Sequence, residues 1–350
     1  MSDPEIQNED GAKSRDLLTA SLPKSVLSMA GPMLIGMLAM VSVDVVDAFF
    51  VGQLGDEPLA ALSFCFPVLF FVTGVSSGLG AGVQAVVARA FGEGDTAEAG
   101  RITTQSLFLA VVTMTILITA GFLLMRPLFS LLGATDTTLP VIESFMSIWF
   151  PSAMFIVLPY VGGAALMAEG DATTPAIFMV GAAILNAILD PLLIFGLGPF
   201  PALGVPGAAA GSAIARGSIT VFAIVVLVRR GLLRRPDAAM FSTMFDSWAR
   251  VGRVGGSIML INFINPLTLA FVTRLTSEFG DPAVAAIGAG TRIQALAMLV
   301  PSALAYGMMP VVGQNWGAKL YDRVDQTLSF AEKVAVGWSF FAWFALAAAS

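Results

Sequence analysis

Histidine is absent from this 350-residue chain, cysteine occurs once and lysine four times. Without histidine there is no imidazole ligand for haem, no histidine proton relay and no His-based zinc site. The lone Cys65 excludes an internal disulfide, and its place in an apolar run suits inert packing. Charge is scarce too: Asp, Glu, Lys and Arg make up 12% of the residues, against about 25% in an average soluble domain. So few charges cannot cover a water-facing surface. A net charge of −6 and a pI of about 4.7 argue against nucleic acid as a partner. Residues 1–20 are polar and lack the short apolar core of a signal peptide. No Walker lysine motif occurs, and Gly78-Leu79-Gly80-Ala81-Gly82 follows no strand, so neither ATP nor a dinucleotide cofactor is expected.

What is present is apolar length. Hydrophobic residues make up 57% of the chain and mean hydropathy is +0.84. Apolar runs long enough to cross the ~30 Å hydrocarbon core recur along it. Backbone polar groups in such runs must be satisfied internally, which favours helices, and the alternating strands of a barrel are missing. Helices are expected near 26–51, 59–88, 105–125, 139–168, 176–197, 207–228, 255–276, 283–313 and 334–350. The connections are short except 229–254, which holds Arg229, Arg230, Arg234, Arg235, Arg250 and Arg253 around Pro236. Loops 52–58 and 197–206 carry no Lys or Arg, so the positive-inside rule places the amino terminus in the cytoplasm of a multi-pass cell-membrane protein.

Shifting the chain by 225 residues pairs Gly31 with Gly256, Gly55-Asp56 with Gly280-Asp281, Gly82 with Gly307, and Phe91-Gly92 with Trp316-Gly317, without a gap. Six crossings separate the copies, an even number, so they are parallel repeats about an axis along the membrane normal. The expected division is a cytoplasmic tail 1–25, a six-helix lobe 26–228, a cytoplasmic linker 229–254 and the first helices of a second lobe 255–350. The ninth apolar run offers only 17 residues from Val334, short of the ~20 that span a bilayer. The expected fold is therefore all-α and polytopic, with two parallel six-helix repeats and the second cut after about three helices. A monomer is expected.

Intramembrane acids are costly, ~2.5–3.5 kcal/mol each at a helix centre, and so read as functional. Asp44 and Asp47 lie three residues apart in the first run, able to face one cavity. Asn186 and Asp190 stack at i, i+4 in the fifth, and Pro191 leaves the Ala187 carbonyl without its helical donor. These groups make a plausible proton or Na⁺ site; pairing with Arg216 is the plainer alternative. Pro32, Pro67, Pro159, Pro266, Pro301 and Pro310 favour kinks. Gly74, Gly78 and Gly82 form a stripe for close helix packing. Seventeen methionines could line an adaptable apolar cavity, although gap-filling suits most of them. Gly92-Glu93-Gly94-Asp95 matches the GxGD string of intramembrane aspartyl proteases but reads better as a turn.

Several strings carry a family resemblance: Val46-Asp47-Ala48-Phe49-Phe50-Val51-Gly52, Glu169-Gly170-Asp171-Ala172-Thr173-Thr174-Pro175, Asn186-Ala187-Ile188-Leu189-Asp190-Pro191, Arg292-Ile293 and Val312-Gly313-Gln314-Asn315-Trp316-Gly317-Ala318. In order and spacing the chain resembles the multidrug and toxic compound extrusion (MATE) family, in its prokaryotic DinF-like branch. The resemblance implies a V-shaped pair of six-helix bundles and no enzymatic activity. It implies export of small organic, often cationic compounds in exchange for H⁺ or Na⁺. It assigns coupling to Asp47, Asn186 and Asp190, with Ser212 as a hydroxyl candidate, Asp44 at a position usually filled by another polar residue, and helix bending at Pro32 and Pro191. Asn265 stands where another branch has an acid. Alternative readings are a lipid-linked-precursor or polysaccharide flippase of the same superfamily, an intramembrane aspartyl protease using Asp47 and Asp190, and a non-transporting scaffold.

Overall fold

The computed structural model describes residues 17–235, 238–276 and 281–349, and these are nearly all helical. The helices are α1 (Leu22–Gly52), α2 (Asp56–Gly92), α3 (Thr96–Leu131), α4 (Thr138–Ser152), α5 (Met154–Glu169), α6 (Thr173–Phe195), α7 (Val205–Arg229), the short α8 (Ala238–Ser242), α9 (Met244–Thr276), α10 (Asp281–Gly317) and α11 (Tyr321–Ala349). Their ends follow local chemistry. Proline occupies the first turns of α1 and α7, where its missing N–H costs nothing. Gly170 and Gly196 close α5 and α6 at φ of 108° and 72°, which only glycine adopts without strain.

Eight helical stretches among the described residues are long and apolar enough to cross a membrane. Three expected boundaries are corrected. The run 139–168 is one crossing broken at Ala153, because Pro151 and Pro159 interrupt its hydrogen-bond ladder. The run 255–276 lies within α9, which begins at Met244, so part of the expected linker is helical. The run from Val334 is the later part of the 29-residue α11, whose polar first turns hide its length from hydropathy. On α3 and α11, Ile116, Leu123, Leu131, Phe340 and Phe344 stand exposed, a surface suited to lipid rather than water. The largest buried cluster lies mostly in the first repeat, from α2 to α7, and takes in Val51 of α1 and Val251 of α9.

The two copies meet through α1, α2, α9 and α10, and glycine sets how closely. Gly82 lies against the Gly255 nitrogen, 3.1 Å from where a Cβ would sit; Gly307 lies against the Ala30 nitrogen at 2.6 Å. Gly92 abuts the Gln314 carbonyl, and Gly317 abuts the Arg89 carbonyl. Each contact in these two pairs is the other shifted by 225 residues with the roles exchanged, which is what a two-fold relation demands. The stripe Gly74, Gly78, Gly82 faces α9: a Cβ on Gly78 would meet the Gly255 carbonyl at 2.9 Å.

The arginine-rich end of the bundle is tied by polar bonds. Asn315 donates to the Leu17 carbonyl at 3.2 Å and Arg323 to the Ala20 carbonyl at 2.9 Å, which fastens the entry of α1 to α10 and α11. In the other copy Gln105 of α3 donates to the Met240 carbonyl at 2.6 Å and Arg250 pairs with Glu98 at 2.8 Å. Arg230 bridges Glu169 at 3.3 Å and Asp171 at 2.8 Å, while Asp171 accepts from the Thr173 and Thr174 amides. Gly92-Glu93-Gly94-Asp95 is a turn: Asp95 caps α3 by accepting from the Glu98 amide at 2.8 Å.

Candidate functional site

Helices α1, α6 and α7 bring four of the expected residues together. Gly36 permits the close approach of α1 to α6, where a Cβ would meet Met179 Sδ at 2.8 Å. Further along the same seam, Asp47 of α1 and Asp190 of α6 lie within hydrogen-bonding reach of each other. Asp190 is fully buried and Asp47 half-buried. One turn before Asp190, the Asn186 amide donates to Asp190 Oδ1 at 3.1 Å and to Ser212 Oγ of α7 at 3.1 Å. Gly211 gives Asp190 its room, since a Cβ there would stand 2.7 Å from Oδ1. Just beyond, Phe50 and Phe195 meet edge to face with ring centroids 6.1 Å apart. Pro191 sits inside a continuous α6 and Pro32 inside α1. The side chains of Asp44, Asn265, Pro266 and Arg292 lie outside the described residues.

The cluster is rich in oxygen and short of hydrogen. Asp47 Oδ1, Asp190 Oδ2 and Asn186 Oδ1 are buried without a hydrogen-bond donor among the described groups. A proton shared between the carboxyls, or a hard cation among these oxygens and Ser212 Oγ, would satisfy them. No group of three or more His, Cys, Asp or Glu side chains that could hold a metal exists among the described residues. The guanidinium of Arg216, on α7, is near enough for its charge to act on both carboxyls.

Arg216 also lines a cavity of about 200 Å³ beside the cluster. Met33, Met37, Met40, Met167 and Met179 wall it, so five of the seventeen methionines have the lining role. Its other polar groups include the Ser77 hydroxyl, 3.0 Å from Tyr306 Oη, Gln84, whose amide donates to the Tyr306 carbonyl at 3.0 Å, and Tyr160. Tyr306 comes from α10, so the second copy contributes to the wall. Sequence reasoning passed over Gln84, Ser77 and Tyr306. A polar side chain repeated along an otherwise apolar α2 was the signal that could have found two of them.

A sequence model of the MatE family matches residues 32–192 and 257–350. A Shewanella oneidensis protein named FAD transporter is 37% identical over 318 residues, 91% of this chain and 70% of its own. The multidrug export protein MepA of Staphylococcus aureus is 26% identical over 305 residues, 84% of this chain and 65% of its own. The chain thus spans about two thirds of the length of these relatives. The crystal structure of the Vibrio cholerae MATE transporter VcmN in the bent form is similar at a TM-score of 0.85 and 31% identity, covering 91% of this chain and 71% of that one. The chain belongs to the MatE family of membrane transporters.

Proposed function

We propose that this protein is a secondary active exporter that exchanges a small organic cargo for H⁺ or Na⁺, with Asp47, Asn186, Asp190 and Ser212 as the coupling site. The observation that carries this reading is the close carboxyl pair beside Asn186, with two carboxyl oxygens and one amide oxygen buried without a donor among the described residues. Two ionised carboxylates so close repel in a low-dielectric site, and a proton or hard cation between them relieves the repulsion. Binding such an ion therefore changes how α1 and α6 hold each other. Each inward proton supplies ~1.4 kcal/mol per pH unit and ~2.3 kcal/mol per 100 mV, enough for a modest population shift between two faces. The arginine-rich end, with the amino terminus, faces the cytoplasm by the positive-inside rule.

The adjoining methionine-walled cavity supplies the adaptable surface a varied cargo needs. MepA is named for multidrug export, which supports that cargo class. A second reading, favoured by the relative named FAD transporter and by Arg216 in the lining, is that the cargo is a flavin dinucleotide. The test is efflux from proteoliposomes under separate pH and sodium gradients, with ethidium and FAD as cargoes. Gradient-driven efflux lost in both Asp47→Asn and Asp190→Asn is expected. Normal rates in both variants, or no gradient-driven movement of either cargo, would refute the reading.

A further inference from the structure

A second cavity opens at the arginine-rich end of the bundle and shares no residue with the carboxyl cluster or the methionine-walled cavity. It measures about 410 Å³ and lies among α2, α3 and α9. Its charged lining is Arg89 and Glu93 at the end of α2, Glu98 in the first turn of α3, and Arg250 and Arg253 of α9. Val86, Ile102 and Val254 supply apolar wall.

Both carboxylates are already engaged. Glu98 accepts from Arg101 and, at 2.8 Å, from Arg250, while Glu93 pairs with Arg89 at 2.8 Å. The Arg89–Glu93 pair is open to solvent on both sides, so it is weak and leaves Arg89 able to share another anion. The exposed guanidinium of Arg253 has no hydrogen bond or ion pair among the described residues. Three guanidiniums thus face two carboxylates, with one positive charge over. At the shift of 225, Ala90 in this wall corresponds to Asn315 and Glu98 to Arg323. In the second copy those two side chains are taken up by the Leu17 and Ala20 carbonyls. In the first, the methyl group of Ala90 leaves that space open.

The residues beyond Arg253 say what kind of anion fits. Positions seven and eleven further along an α-helix lie within about 20° of the starting face. On α9 these are Leu260 and Ile264, both exposed. A phosphate held at the charged end would have an apolar track beside it along the same helix face, which suits a phospholipid and is wasted on a soluble phosphate.

We propose that this cleft binds the phosphodiester of an anionic membrane phospholipid, with Arg253 as its main contact and an acyl chain lying along Leu260 and Ile264. Arginine holds phosphate oxygens through paired N–H donors, and one phosphodiester carries the single negative charge the cleft lacks. Since α2 and α3 belong to one copy and α9 to the other, the bound lipid spans their junction and stabilises the folded pair by mass action.

Native mass spectrometry of the purified protein in detergent, titrated with dioleoyl phosphatidylglycerol or dioleoyl phosphatidylcholine, tests this alongside thermal midpoints in the same mixtures. Phosphatidylglycerol should be retained severalfold more than phosphatidylcholine and should raise the midpoint. Arg253 bonds to nothing in the fold, so Arg253→Gln should leave the protein folded while bringing the preference near unity and cancelling the rise. Arg229→Gln removes an equal charge at the same end but outside the cleft, and should behave as the parent protein. Equal retention of the two lipids by the parent, or equal losses in Arg253→Gln and Arg229→Gln, overturns the proposal. Competition by glycerol 3-phosphate at concentrations close to the lipid's also overturns it, because the site would then serve a soluble phosphate.

Discussion

The first three helices of one repeat, α1 to α3, and those of the other, α9 to α11, share packing but not chemistry. Two pairs of their closest contacts correspond at a shift of 225: Gly82 with Gly307, Ala30 with Gly255, Gly92 with Gly317, Arg89 with Gln314. At the same shift Asp47 corresponds to Val272, a residue 38% exposed on α9, and Gln84 to Met309. Close backbone approach across a two-fold relation needs small residues on both sides, so the glycines are duplicated. A buried acid needs partners on neighbouring helices, and Asp47 finds them on α6 and α7. Symmetry is imposed where the copies touch, and charge is placed where one copy closes on itself.

Moving the charge should break this comparison most severely. Exchanging the two positions, as Asp47→Val with Val272→Asp, should abolish gradient-driven export in proteoliposomes, as Asp47→Asn alone should. Recovery of export in the exchanged protein would mean that the copies are chemically interchangeable. The shared packing predicts the next largest effect. Gly92→Ala and Gly317→Ala each drive a Cβ into a backbone carbonyl of the other copy, at ~1–3 kcal/mol each by the usual cost of overpacking. Thermal midpoints in detergent should fall by similar amounts for both, and a large inequality would show that the two-fold packing is not energetically symmetric.

Ser212→Ala sharpens the other half of the comparison. It removes one acceptor of the Asn186 amide, ~0.5–1.5 kcal/mol of hydrogen bonding, and should slow exchange a few-fold with the fold intact. An unchanged exchange rate would take Ser212 out of the site. The smallest effect is expected where both copies leave space. Gly31 and Gly256 have nothing within 4 Å of a built Cβ, so alanine at either should be neutral or stabilise by at most ~1 kcal/mol. A substantial loss of melting temperature at either would place an unseen neighbour there.

Much of the architecture was readable because lipid crossing is a local property. Apolar length located the helices, and the repeat showed up because its copies still need the same glycines. The misread boundaries share one cause. Hydropathy senses transfer to lipid, so it missed the polar first turns of α11 and the charged start of α9, which are held by partners rather than by solvent class. It also read α4 and α5 as one helix, since the break at Ala153 leaves the apolarity of the crossing unchanged.

The sequence by itself determined that this chain inserts as helices, that it contains two like-oriented copies, and that Asp47, Asn186 and Asp190 are costly enough in a membrane to need a purpose. It also singled out Ser212 through the family resemblance. Only the tertiary structure decided that Asp47 and Asp190, 143 residues apart, meet. Only it showed that Arg216 lines the methionine-walled cavity while its charge reaches both carboxyls, and that Tyr306 of the second copy contributes to the wall. The reason is physical. Burial cost belongs to a residue and its own helix, whereas shared protons, compensating charges and cavity walls depend on how separate helices are rotated against one another. Glycine contacts spread across the whole chain set that rotation.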